Sequence, residues 1–317
     1  MGKPTAVIDK TLFHEICQDP CQRKREFYWS CLHERYQVVV PFILIEEVLV
    51  NMVRPGGIEE PVLKRMGEQL IILRSCWIDD VFEYAFRELV QRQPLGKFVA
   101  PPDGLQQALL ALARDDPKLV KWVEDRKLLR KATAAKWKAE QRRLAPSSGF
   151  VMVKSEQEFF ERAVKREFLS ALVDPQKKWD MLETIIGKTF RHSHPESTKQ
   201  IDEAFAEYTE ATFSTFPFTL NCLTTRLTYV LAPAVRIQTA RDTEPQIILR
   251  PKRRDQDNNW ADEQYVVSAL VCDRLLTMDA GMRNVANIFH VSRLWNGQTI
   301  FIEPGEDLAG QIPRLLV

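Results

Sequence analysis

The fold is decided by the opening stretch TAVIDKTLFHEICQDPCQRKREFYWSCLHERYQVVVPFILIEEVLVNM (5–52). It begins with TAVID (5–9), a short apolar run closed by an acid. QVVVP (37–41) is a continuous β-branched run of the kind found in buried parallel strands. Helical patterns lie between and after these two runs, at 12–18, 23–35 and 43–52. The order strand, helix, strand, helix predicts an α/β fold with a parallel sheet flanked by helices.

The middle of the chain changes character after the break Arg54-Pro55-Gly56-Gly57. Helical periodicity follows, with candidate helices at 61–75, 79–92, 103–114, 117–143, 155–173, 175–190, 198–213 and 217–231. The α/β pattern then returns, with helices at 261–272 and 280–287 and strands at 275–277, 288–291 and 299–302. The sequence therefore predicts one discontinuous α/β domain, residues 1–55 plus 256–317, interrupted by a mostly α-helical insertion domain, residues 56–255.

The composition is that of a soluble globular protein. Hydrophobic residues make up 45% of the chain, charged residues 27%, and the formal net charge is +1. A nearly neutral chain creates no overall field toward nucleic acid, so any electrostatic attraction must be local. The six cysteines are too scattered for a disulfide framework, and neither a signal peptide nor an apolar run of about 20 residues is recognisable. We therefore expect a reduced, cytoplasmic protein that does not enter a membrane.

Four acidic residues near the two ends of the chain carry the candidate chemistry. Asp9 ends the first strand, Glu47 lies in the helix after the second, Asp262 opens a later helix, and Asp279 follows the next strand. In a parallel sheet, the carboxyl ends of strands and the starts of the following helices share one edge, where ligands bind. Carboxylates gathered there suit Mg²⁺ or Mn²⁺, which lowers the pKa of a water and stabilises charge on a phosphate. All four acids are thus predicted to be metal ligands and catalytic residues of phosphodiester hydrolysis.

The acids stand in motifs that resemble those of the PIN-domain nucleases. The N-terminal motifs are VIDKT (7–11) and VVVP (38–41), with Glu47 six residues after the proline. The C-terminal motifs are DEQYVVSA (262–269), which is like the family's acid-opened helix, and LLTMD (275–279), which is like its strand ending in Thr-x-Asp. The four motifs in this order are more specific than any of them alone.

The resemblance covers about residues 5–53 and 260–303. It implies a parallel α/β sandwich whose acids hold one or two Mg²⁺ or Mn²⁺ ions. It also implies endonucleolytic cleavage of single-stranded RNA, less often of DNA, with structured nucleic acid the substrate of some members. The helical insertion has no counterpart in a minimal PIN domain.

Three further residues are expected to support the site. Thr11 lies in the turn after the first strand, where it is placed to hydrogen-bond Asp9 or a metal-bound water, and Thr277 lies two residues before Asp279. Glu46 is the alternative to the glutamate that follows it, from which it points about 100° away on the helix. Taken singly, Asp9 and Asp279 also fit ordinary helix N-caps, so the prediction depends on all four acids occurring together.

A long basic stretch at 118–143 is the candidate nucleic-acid surface. It holds ten basic and three acidic residues, and its two tryptophans suit base stacking. A second basic run at 250–254 lies shortly before Asp262. The predicted phosphate contacts are Arg126, Lys127, Arg130, Lys131, Lys136, Lys138, Lys252, Arg253 and Arg254. An exposed helix with merely solvated charges explains the first stretch equally well, and a charged linker is the commoner meaning of the second.

A group of zinc-binding residue types lies near the N-terminus: His14, Cys17, Cys21, Cys31 and His33. Their spacing matches no standard zinc motif, which pairs two closely spaced ligands with two more. Buried structural cysteines are therefore the favoured interpretation of this group.

Taken together, these patterns predict a metal-dependent endonuclease, with RNA a better candidate than DNA as its substrate. The helical insertion is expected to gate the site, to select the substrate or to bind a protein partner. It is also compatible with an effector of a toxin or defence system. The alternative is a non-catalytic PIN-like scaffold or nucleic-acid-binding protein, which needs none of the four acids. Loss of activity in EDTA distinguishes the enzyme from the scaffold.

Overall fold

The computed structural model of the chain describes the two ends of the sequence and parts of its middle. The described residues are 2–53, 58–73, 76–78, 80–91, 117–144, 152–153, 187–207, 236–237, 259–291, 295–305 and 307–314. The predicted helices at 103–114, 155–173 and 217–231, and the basic run at 250–254, lie outside them.

The described residues include seven strands, which form two parallel sheets. They are β1 (Thr5–Ile8), β2 (Gln37–Pro41), β3 (Trp77–Ile78), β4 (Met152–Val153), β5 (Arg236–Ile237), β6 (Arg274–Thr277) and β7 (Gln298–Phe301). The main sheet has five parallel strands in the order β3-β2-β1-β6-β7, and β4 pairs with β5 in the second. The α/β class with a parallel sheet is thereby confirmed.

Helices pack against the main sheet and against one another. They are α1 (Lys10–Gln18), α2 (Gln22–Arg35), α3 (Phe42–Val53), α4 (Glu60–Ile72), α5 (Val81–Gln91), α6 (Pro117–Leu144), α7 (Lys188–Ser193), α8 (Thr198–Glu207), α9 (Asn259–Leu270), α10 (Ala280–Val291) and α11 (Leu308–Arg314). Helix α9 contacts β1, β2 and β6, α10 contacts β6 and β7, and α2 contacts β2. Helix α6 contacts α3 and α9. None of the described helices is long and apolar enough to cross a membrane.

The first strand lies at the centre of the main sheet. Val7 of β1 is in register with Val39 of β2 on one side and with Leu275 of β6 on the other. All three side chains are fully buried. A strand with neighbours on both edges and helices over it has no face in water, which is why these segments are continuous apolar runs without alternation.

Several details of the fold differ from the sequence prediction, among them helix α11 and strands β4 and β5, which were not predicted. The strand predicted at 288–291 is wrong, because these residues continue helix α10 as far as Val291. Strand β3 was not predicted, and it lies within the range 56–255 assigned to the insertion, so the main sheet takes one strand from that range. A strand of two residues is too short to show an alternating or continuous apolar pattern, and a short apolar run fits a helix as well as a strand.

Candidate functional site

The centre of the main sheet is also the point where its strand order reverses. From β1 the chain crosses to β2 on one side, and from β6 it crosses to β7 on the other. In open parallel sheets a crevice opens outside the carboxyl ends of the two strands at such a switch point, and ligands bind there. Asp9 directly follows β1, and Asp279 lies two residues after the last residue of β6. These two acids therefore lie at the switch point.

Asp9 is completely buried and is held by three hydrogen-bond donors. Its Oδ1 accepts a bond of 2.7 Å from the backbone N–H of Leu12, which caps helix α1. Its Oδ2 accepts one of 2.5 Å from the hydroxyl of Thr277 and one of 3.2 Å from the N–H of Met278. The carboxylate thus joins the start of α1 to the end of β6.

Burial raises the pKa of Asp9 to about 6. The three hydrogen bonds act in the opposite direction, since donors favour the charged carboxylate, and the nearby charge of Asp279 raises the pKa further. Desolvation therefore outweighs the hydrogen bonds. A divalent cation is the kind of group that would offset the cost of this buried negative charge.

The hydroxyl of Thr277 connects the two acids. It donates to Asp9 and accepts a bond of 2.9 Å from the backbone N–H of Asp279. Asp279 in turn caps helix α10, because its Oδ1 accepts a bond of 2.8 Å from the N–H of Met282. Its other oxygen, Oδ2, accepts none from any described residue. The two acids also serve as the helix caps that their positions suggested, and these caps set the directions of their side chains.

Glu47 and Asp262 lie in two different helices, and both lie near Tyr265. The hydroxyl of Tyr265, in α9, donates a hydrogen bond of 2.8 Å to Oε2 of Glu47, in α3. The ammonium of Lys10 lies 3.7 Å from the other oxygen of this glutamate, Oε1. Burial raises the pKa of Tyr265 well above its usual value, and the charges of Glu47, Asp9 and Asp262 add to this effect. Three of the four predicted acids therefore act on one buried phenol, which stays protonated and donates its hydrogen bond.

The adjacent Glu46 faces a different neighbour. It is fully buried, and its Oε2 accepts a hydrogen bond of 2.8 Å from the guanidinium of Arg126, in α6. The same nitrogen of Arg126, Nη2, lies 3.1 Å from Oδ2 of Asp80, which follows β3. Burial alone would lower the pKa of Arg126, but the carboxylates of Glu46 and Asp80 outweigh it, so the pKa is raised. Of the two adjacent glutamates, Glu47 contacts Tyr265 and Lys10, and Glu46 contacts Arg126.

This ion cluster bears on the predicted nucleic-acid contacts. One nitrogen of the Arg126 guanidinium, Nη2, is engaged by two carboxylates of its own chain, and the side chain is 23% exposed. Lys127 is half-buried and Lys131 is exposed on the same helix. The backbones of Arg130, Lys136 and Lys138 also lie in α6, but their side chains are outside the description, as are Lys252, Arg253 and Arg254 altogether.

Two expectations about the surroundings of the site are changed. Thr11 is exposed and is not among the donors that hold Asp9, a role that Leu12, Thr277 and Met278 fill. Tyr265, for which no role in the site was predicted, is buried, and its hydroxyl binds the carboxylate of Glu47. Its position one helical turn after Asp262 is the sequence signal that could have placed this hydroxyl near the acids.

The N-terminal cysteines fit the structural interpretation. Cys17 and Cys31 are buried free thiols, and Cys21 is an exposed one. Burial raises the pKa of Cys17 to about 12, so this thiol is not a thiolate at neutral pH. A zinc ligand needs the thiolate form.

The donor set at the sheet edge suits a divalent cation in its chemistry. Its members are carboxylates, the ligands that Mg²⁺ and Mn²⁺ favour. As the side chains stand, however, no three His, Cys, Asp or Glu residues in the described part of the chain are grouped so that they could hold a metal ion. The acids therefore meet the chemical requirement, and an ion would have to draw them closer together.

The chain matches no protein-family model, and neither a curated protein nor a solved structure is significantly similar to it.

Proposed function

We propose that this protein is a metal-dependent endonuclease with a PIN-like α/β domain and a helical insertion, and that it cleaves RNA in preference to DNA. The observation that carries the proposal is the position of Asp9 and Asp279 at the ends of adjacent parallel strands, joined through the hydroxyl of Thr277. Glu47 and Asp262 add two carboxylates at the same edge, near Tyr265. The choice of RNA rests on the resemblance of the motifs to the PIN-domain nucleases.

Asp9, Glu47, Asp262 and Asp279 are the residues that would hold Mg²⁺ or Mn²⁺. When bound, such an ion supplies positive charge that activates a water and stabilises the phosphate during hydrolysis. The protein's own contribution is to hold the carboxylates in place before the substrate arrives. Asp9 is the most firmly held of the four, because three donors from two elements fix both of its oxygens.

Lys10 is the residue best placed to contact the substrate at this edge. Its ammonium lies beside Oε1 of Glu47, and its side chain is 34% exposed. At 3.7 Å this contact is longer than a hydrogen bond, so the ammonium can turn to another partner. A phosphate that approaches the acids would therefore find a cation at the rim of the site.

Helix α6 supports a role in nucleic-acid binding through its location. It contacts both α3, which carries Glu47, and α9, which carries Asp262. Lys131 is exposed on this helix and Lys127 is partly exposed. Lysines near the acids would attract the phosphate backbone, independently of base sequence.

The test is a cleavage assay with purified protein, on single-stranded RNA, double-stranded RNA and single-stranded DNA, with Mn²⁺ or Mg²⁺ and with EDTA. We expect cleavage of RNA that stops in EDTA and is abolished in Asp9→Asn and in Asp279→Asn. Glu34→Gln, which neutralises an exposed acid on α2, is the matched control and should cleave normally. Full activity of the Asp9→Asn, Asp279→Asn double variant would refute the proposal.

The non-catalytic alternative has one observation in its favour. The acids in the described part of the chain are not grouped to hold an ion as they stand. A scaffold would bind nucleic acid or a protein in EDTA as well as in Mn²⁺, and Asp9→Asn would leave that binding unchanged. Absence of both Mn²⁺ binding and cleavage in the wild-type protein would favour this alternative.

A further inference from the structure

Helix α3 carries two consecutive acids that bind residues of two different helices. Glu46 binds Arg126 of α6, and Glu47 binds Tyr265 of α9. Consecutive side chains on a helix point about 100° apart, so the two bonds restrain the helix in different directions. Rotation of α3 about its own axis would break at least one of them.

We propose that Arg126 is a positioning residue, which fixes the orientation of α3 and thereby the position of the Glu47 carboxylate at the site. The proposal rests on the proposed function, because it assigns Arg126 a role in holding a residue of that site. Through Arg126, helix α6 becomes part of the support of the acids.

The ion pairs of Arg126 suit this role because they are short and partly buried. Its Nη2 bonds Glu46 at 2.8 Å and Asp80 at 3.1 Å. The guanidinium also lies 5.5 Å from the ring centre of Phe42 and 5.8 Å from that of Trp122, which are distances for cation–π contact. A flat group held on its edge by carboxylates and near two rings has little freedom to turn.

The same guanidinium links three helices. Glu46 lies in α3, Trp122 and Arg126 lie in α6, and Asp80 precedes α5, whose first turn it caps through its Oδ1 and the N–H of Phe82. Phe42 is the first residue of α3 and packs edge-on against Trp122. The contacts to α3 are therefore at its first residue and one turn later, which fixes the start of the helix that carries Glu47.

The experiment compares Arg126→Met, the double variant Glu46→Gln, Arg126→Met, and the control Lys121→Met, which removes an exposed cation from the same helix. Three quantities are measured on the full-length protein: the melting temperature, the affinity for Mn²⁺ alone by calorimetry, and the hydrogen-exchange rates of the α3 amides. The double variant is needed because Arg126→Met leaves Glu46 as a buried charge without its arginine, and the loss of a buried charge's partner by itself destabilises a protein.

We expect Arg126→Met to lower the melting temperature, to speed exchange in α3 and to weaken Mn²⁺ binding by about tenfold, as the loss of an outer support of metal ligands does. In the double variant the buried charge is gone, so the melting temperature recovers. The bond between residues 126 and 46 is still missing, so Mn²⁺ binding stays weak and the amide hydrogens of α3 still exchange fast. Lys121→Met should match the wild type in all three quantities.

Two outcomes would overturn the proposal. The first is that Arg126→Met leaves both the Mn²⁺ affinity and the exchange rates of the α3 amides unchanged. The second is that both return to wild-type values in the double variant, which would mean that Arg126 only neutralises the charge of Glu46. Failure of the proposed function looks different. In that case the wild type would bind no Mn²⁺, or Asp9→Asn would bind it equally well. The exchange rates of α3 in the double variant would still decide whether Arg126 holds the helix: fast exchange supports it and wild-type exchange overturns it.

Discussion

At the scale of single residues, Asp9 shows how stability and site chemistry oppose each other. Burial raises its pKa from the model-peptide value of 3.8 to about 6, so at neutral pH the folded protein keeps a charge that desolvation disfavours. Two pKa units correspond to roughly 3 kcal/mol. The protein keeps this carboxylate although an asparagine would fill the same space, which is understandable if the charge itself is needed.

The first prediction concerns the pH dependence of stability without metal. Folding raises the pKa of Asp9 because the buried carboxyl favours its protonated form. The stability that this protonated form contributes is fully present below about pH 4 and is lost as the pH rises through about 6. Asp9→Asn has no such charge and can still accept the capping bond from Leu12. In EDTA at pH 7.5 we therefore expect the variant to be more stable than the wild type, by up to about 3 kcal/mol in urea unfolding. At pH 4 the two proteins should be about equal, and a wild type that is the more stable at pH 7.5 would contradict the prediction.

The second prediction concerns the hydroxyl of Thr277. Thr277→Val keeps the shape of the side chain but removes the donor to Asp9 and the acceptor for the N–H of Asp279. We expect a loss of about 2 kcal/mol of stability, since a buried carboxylate loses a hydrogen bond, and Mn²⁺ binding weaker by about tenfold. Thr277→Ser retains the hydroxyl and should bind Mn²⁺ nearly as well as the wild type. Equal affinities of the valine and serine variants would exclude a role for the hydroxyl.

At the scale of elements, long apolar runs were predictable and short or ambiguous ones were not. Strands β1, β2 and β6 are buried on all sides, so their continuous apolar runs stand out from the helices around them. The segment Ile288-Phe289-His290-Val291 is also mostly apolar, yet it ends a helix. A run of three apolar residues and a histidine fits either structure, and the packing of α10 on β6 and β7 decides between them.

The third prediction concerns helix α6 as a binding surface. If its lysines contact the phosphate backbone, the variant Lys127→Gln, Lys131→Gln should bind single-stranded RNA more weakly, whatever its sequence. Each lost phosphate contact reduces the magnitude of the slope of log K against log salt, where K is the association constant, by about 0.7. Loss of both contacts should therefore reduce it by about 1.4. The measurement is fluorescence anisotropy at several salt concentrations in EDTA. An unchanged slope would mean that the charges of this helix are merely solvated.

At the scale of the whole molecule, the candidate site draws on residues from both ends of the chain. The acids themselves could be selected from the sequence, because each lies just after a recognisable strand or within a helix next to one, and the carboxyl edge of a parallel sheet is shared. The pairs Tyr265–Glu47 and Arg126–Glu46 could not, since they join residues more than 75 positions apart. Such contacts depend on how helices pack, which single-residue patterns do not encode.

The fourth prediction concerns the stability of the whole protein in the presence of metal. A ligand that binds only the folded state stabilises it, by about 2.7 kcal/mol at a concentration of 100 times its dissociation constant. We therefore expect Mn²⁺ to raise the melting temperature of the wild type and EDTA to reverse the effect. Asp279→Asn should show little or no increase, whereas Glu34→Gln should respond as the wild type does. An equal increase in the Asp279→Asn protein would place the ion elsewhere.

The position of β1 between β2 and β6 has a consequence for the protein's synthesis. While the chain is being translated, β1 can pair with β2 soon after both leave the ribosome, but β6 is made much later. Until then, β1 lacks one of its two neighbouring strands. Asp9 also lacks two of its three donors, the hydroxyl of Thr277 and the N–H of Met278. On the proposed function, an incomplete nascent chain therefore cannot cut the messenger RNA from which it is being read.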